Sequence, residues 1–184
     1  MSGRGPRWIS VTRGRLPAGY TELTYIRATG TQYVDTGLVC NKSDDYTVTT
    51  IAKLTNNANY AGANGYLQFQ ASVAGGQMAT IEVSYKNNVE TIRVDGVLKS
   101  TTDWTSSYSG RNVRIGILRL GDVENTWFNG AAQSGDVYEV EIKKAGVSVR
   151  NFIPCINPDG IVGLFDMVGG AFYKNAGTGV FASG

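Results

Sequence analysis

Apolar and polar residues alternate with a period of two along most of the chain from Thr21 onward, the pattern of strands that bury one face and wet the other. Ile81, Val83 and Tyr85 alternate with Glu82, Ser84 and Lys86 before Asn87 and Asn88 break the run. Val113, Ile115 and Ile117 form another such face, and Tyr138, Val140 and Ile142 a third, set against Glu139, Glu141 and Lys143. TELTYIRA, QYVDTG, DYTVTTIAKL, GYLQFQASV, GIVGLFD and AFYKN read as further strands. Asp95-Gly96 between IRV and VLK marks a hairpin, because both central residues of the tight turn need positive φ, and Ala145-Gly146 turns the chain into VSVRNFI. No segment combines a helical period with a cap and sufficient length. Many short strands punctuated by Gly, Asn and Asp predict an all-β protein built as a two-sheet antiparallel sandwich or jelly roll. A chain of 184 residues is expected to form one such domain.

Composition narrows the chemistry. There is no histidine, which removes the commonest general base, the usual catalytic triads and the commonest zinc ligand together. Cys40 and Cys155 lie far apart without CxxC spacing, so they make no zinc site by themselves, and both are expected to be free thiols. No cofactor or metal is expected. Hydrophobic residues make up 42% of the chain, an ordinary share for a globule, and no apolar run approaches the length that crosses a bilayer. MSGRGPRWISVTRGRLPAG has arginines but no continuous apolar stretch behind them and does not read as a secretory signal.

Charge is unevenly spread. Of 17 basic side chains, Arg4, Arg7, Arg13 and Arg15 fall in residues 1–15 with no acid among them, which leaves 13 basic against 15 acidic over the rest. A basic, extended arm on a slightly acidic body is a docking arm by composition. Trp8, Ile9 and Val11 stand among its polar residues and suit an extended segment that pairs with a partner. The organisation expected is an N-terminal arm over residues 1–15 and a sandwich over 16–184.

Two terminal blocks carry a resemblance. LPAGYTELTYIRATGTQYVDTGL, residues 16–38, and VRNFIPCINPDGIVGLFDMVGGAFYKNAGTG near the other end resemble the start and end of concanavalin A-like, laminin-G-like sandwich domains of bacteriophage structural and tail proteins and gut-bacterial surface proteins. VDG at 94–96, RIGI at 114–117, WFNG at 127–130 and GDVYEVEI at 135–142 follow the same order. The resemblance implies that the last strands return beside the first, which would bring the segment around Thr24, Tyr25 and Ile26 near Phe172 and Tyr173. It also implies that the terminal glycines are tight-turn positions. A phosphate loop is excluded separately, since GxxxxGK[ST] is absent and no helix follows.

Candidate chemistry follows from these features. Cys155, flanked by Ile153, Pro154 and Ile156, reads as a packed hydrophobe with no histidine to activate it. Glu139 and Glu141 share one strand face, as a glycosidase pair would, but they alternate with core residues and are expected to face solvent beside Lys143. Asp44, Asp45, Asp122 and Glu124 are loop acids outside any DxDxDG frame and read as solvated rather than as a calcium site. Trp104 and Tyr108 in KSTTDWTSSYSGRN and Tyr60 in NNANYAGANGY are loop aromatics suited to stacking on sugar faces. Arg4, Arg7, Trp8, Arg13 and Arg15 are the expected anchors of the arm. The composite expectation is a non-enzymatic bacteriophage virion protein, a capsid decoration or tail-associated subunit assembled in the bacterial cytoplasm. It would be present as a homo-oligomer or in repeated copies, bound to neighbouring virion subunits and able to touch host-surface glycans, with no nucleic acid or membrane as partner. The alternative is a secreted or surface carbohydrate-binding module, or a weak glycosidase, of a bacterium.

Overall fold

The computed structural model describes residues 15–29, 32–41, 45–54, 75–87, 89–103, 109–116 and 135–184. Among them there is no helix, and the protein is all-β. The strands are β1 (Thr21–Glu22), β2 (Ile26–Ala28), β3 (Tyr33–Asn41), β4 (Tyr46–Leu54), β5 (Met78–Lys86), β6 (Val89–Val94) and β7 (Val97–Asp103). They continue with β8 (Ser109–Gly116), β9 (Gly135–Lys144), β10 (Val147–Ile156), β11 (Val162–Asp166), β12 (Ala171–Lys174) and β13 (Ala182–Ser183). One large open sheet runs β12-β11-β10-β9-β4-β5-β6-β7, with every pairing antiparallel. β3 and β8 pair separately.

The period-two reading accounts for the central strands. Ile81, Val83 and Tyr85 of β5 point into the core with Ile92 and Val94 of β6 and Tyr46, Val48 and Ala52 of β4. The β6–β7 hairpin closes through Asp95 and Gly96 at φ 50 and 77, and the β9–β10 hairpin through Ala145 and Gly146 at φ 49 and 77. These are the left-handed values that a two-residue turn needs to follow the twist of its strands. Asp95 also ties its turn back to β5, its Oδ1 accepting from the Thr80 amide at 2.8 Å.

β9 departs from the alternation in its sequence. Ile51 of β4 faces Glu139 and Ala52 faces Val137, so Tyr138 is the extra residue of a bulge. Val137, 1% exposed, takes the core position that Tyr138 was expected to fill, and Tyr138 turns out against Tyr25, ring centroids 5.5 Å apart. The bulge lies where the sheet forks. Along the β9 edge away from β4, β10 pairs with Val140 to Lys144, whereas β2 pairs with Gly135 to Val137. TELTYIRA is accordingly two short strands, β1 on β10 and β2 on β9, where one was expected. Pro154 stands at this fork. Its carbonyl accepts from the Leu23 amide at 2.9 Å, and its missing N–H falls at the parting of the strands, where a proline is tolerated.

The ends of the chain's described part close on each other. β13 pairs with β2, Ser183 opposite Ile26, and Tyr173 packs on the same core as Ile26. β10 and β11 are covered on both faces. Phe152 and Leu164 belong to the main core, while Ile153, Cys155 and Phe165 form a second, smaller cluster capped by Leu16, Tyr20 and Phe172.

The glycine-rich closing stretch is turn architecture. The buried Asp166 carboxylate accepts through Oδ1 from the amides of Asn151 and Val168, both at 3.0 Å, with Arg150 Nε 3.3 Å from Oδ2. Asn157 Oδ1 accepts from the amides of Asp159 and Ile161 in the β10–β11 turn. Asn175 organises the loop after β12: its Oδ1 accepts from the Tyr33 and Gly177 amides, and its Nδ2 donates to the carbonyls of Gly177, Thr178 and Gly179. Asn175→Ala is expected to lower stability by about 2–4 kcal/mol, because it strips partners from several backbone groups at once. Asn175→Asp should also destabilise at neutral pH, since it aims a carboxylate at three carbonyl oxygens. Thermal melts of both variants test this, and an unchanged midpoint in the alanine variant would show that the loop is held by other contacts.

Candidate functional site

Of the candidate site residues, the structure describes Arg15 and its surroundings. Arg15 Nε donates to Glu22 Oε1 at 3.1 Å, and its Nη2 contacts the same oxygen. The pair holds the Arg15 guanidinium charged, its pKa raised chiefly by the Glu22 hydrogen bond, with the charges of Glu22 and Glu139 adding to it. Both partners are exposed, so the ion pair adds little stability. Fixing comes from the next residues. Leu16 and Tyr20 pack on the second cluster, the Tyr20 ring meeting Phe165 edge-on at 5.1 Å and Phe172 at 5.9 Å. Thr21 and Glu22 then pair with Ile156 and Cys155 of β10. Leu16, Tyr20 and β1 thus hold this segment to β10–β12, and Arg15 is tied to β1 through Glu22.

Arg15 alone of the expected anchors is placed by the structure. Arg4, Arg7, Trp8 and Arg13 lie outside the described residues, as do the loop aromatics Trp104, Tyr108 and Tyr60 and the loop acids Asp44, Asp122 and Glu124. Asp45, the remaining loop acid, is ion-paired with Lys86 at 2.8 Å.

The groups weighed for catalysis have structural surroundings. Cys155 is a free thiol with 0% exposure. Burial, and to a lesser degree the Glu22 charge, push its pKa up to about 11, so at neutral pH it is a protonated core group and not a nucleophile. The Cys40 backbone lies in β3, and its side chain is outside the described part. Glu141 pairs with Lys143 at 3.0 Å, as expected for a wet strand face. Among the described residues no three His, Cys, Asp or Glu side chains are grouped to hold a metal ion.

Raising the Cys155 pKa in the folded state ties stability to alkali. The folded state keeps its proton over a range in which the unfolded thiol has lost it, so the protein loses stability as pH rises from about 9 to about 11. The loss is on the order of 2–3 kcal/mol. Cys155→Ala, at a cost of about 1 kcal/mol at neutral pH, should therefore show a shallower decline over that interval. Equal slopes in urea titrations of the two proteins would contradict the buried-thiol assignment.

Two features escaped the sequence reading. Glu90 is 2% exposed and sits on the core face with Ile92 and Val94, a place its period-two spacing does give away. Near the fork, Arg27 grips Asp136 with Nε at 2.5 Å and Nη2 at 2.9 Å, and its guanidinium lies 5.3 Å from the Tyr25 ring centroid beside Tyr138. Gly184 packs so closely on Tyr25 that a Cβ there would come within 2.0 Å of the ring.

Compared with known proteins, the chain matches no family model, no curated protein and no solved structure.

Proposed function

We propose that this chain is a non-enzymatic structural protein of a bacteriophage virion, carried in repeated copies on the capsid or tail. Its body is a concanavalin A-like jelly-roll sandwich of two antiparallel sheets, and residues upstream of Arg15 hold it to neighbouring subunits. The observation that carries this reading is the attachment of residues 15–22. Leu16, Tyr20 and β1 are fixed on β10–β12, and Arg15 is tied to β1 through Glu22. Arg4, Arg7, Trp8 and Arg13 precede Arg15 in the chain and are assigned to a partner surface. An extended segment adds as a strand to an exposed sheet edge, and its guanidiniums pair there with carboxylates. Contact with host glycans is assigned to Trp104, Tyr108 and Tyr60, whose rings suit stacking on sugars.

The absence of hydrolytic work in this proposal rests on chemistry. The thiol is protonated and buried, and Glu141 is engaged by Lys143, so neither is poised as a nucleophile or proton-transfer group. The proposal is tested on particles purified by density gradient from cells that express the chain. Quantitative mass spectrometry should find it at many copies per particle. Recovery solely in the soluble fraction would contradict the virion assignment, and cleavage of glycans lost in Glu139→Gln or Glu141→Gln would contradict the non-enzymatic one.

A further inference from the structure

We draw no further inference here: the strongest candidate, the Tyr25, Tyr138, Arg27 and Asp136 cluster where β2 and β10 part from β9, has its rings and guanidinium taken up by one another, by Asp136 and by Gly184, and nothing in the structure shows what would cover the remainder.

Discussion

Adding one methyl group at Gly163 is expected to unfold this protein or bring it close to unfolding. A Cβ at that position would lie 2.4 Å from the carbonyl oxygen of Tyr173 and 2.6 Å from Cζ of Phe172. A rotation can displace the ring, but the carbonyl belongs to β12, whose residues Ala171 to Lys174 are paired along β11. Moving it breaks the β11–β12 ladder and disturbs the cluster in which Phe172 and Tyr20 cover Ile153, Cys155 and Phe165. Overpacking of a well-filled site ordinarily costs about 1–3 kcal/mol. With backbone as the obstacle, Gly163→Ala should cost at least about 3 kcal/mol, a large share of a domain's whole stability. Gly160→Ala is the control. Gly160 has φ 78 but nothing within 4 Å of an added Cβ, so it bears only the left-handed strain of about 1–2 kcal/mol. Urea unfolding of the two variants should separate them clearly, and a Gly163→Ala protein no less stable than Gly160→Ala would contradict the packing described for β11 and β12.

What the sequence revealed and what it hid divide along local and non-local lines. Asp95-Gly96 was readable because its turn depends on two residues only, and its φ values of 50 and 77 follow from that chemistry. The inward face of β5 was readable for the same reason, since Ile81, Val83 and Tyr85 repeat within a single strand. Tyr138 misled because YEVEI alternates cleanly. The bulge that ejects it is set by register against Ile51 and Ala52 and by the approach of Tyr25, residues more than eighty positions away. The sequence reading took Cys155 as a packed hydrophobe but did not see that the run from Phe152 to Cys155 is buried on both faces. It left unsaid that Leu16 and Tyr20, over 130 residues earlier, supply the cover. The division between residues 15 and 16 rested on charge and on the resemblance that begins at Leu16. Arg15 itself is held to the body through Glu22, so the portion assigned to partners is residues 1–14.

Deleting residues 1–14 should abolish assembly while leaving the fold intact, and deleting residues 1–20 should damage both. The first truncation stops short of Arg15 and removes none of the contacts that hold residues 15–22 to β10–β12, so its stability should stay within about 0.5 kcal/mol of the full chain. The second removes Leu16 and Tyr20 and exposes Ile153, Phe165 and Phe172, which should lower stability by about 3 kcal/mol or more. In the full chain, Arg7→Glu should weaken attachment less at high salt than at low, because exposed charge pairs are screened, whereas Trp8→Ala should weaken it at both. The most direct measurement is co-sedimentation of each protein with particles assembled without it, with a thermal melt run on the same samples. The account predicts that the chain lacking residues 1–14 melts like the full-length protein and stays in the supernatant. Sedimentation of that truncated protein at full occupancy would contradict the anchoring role of the arm.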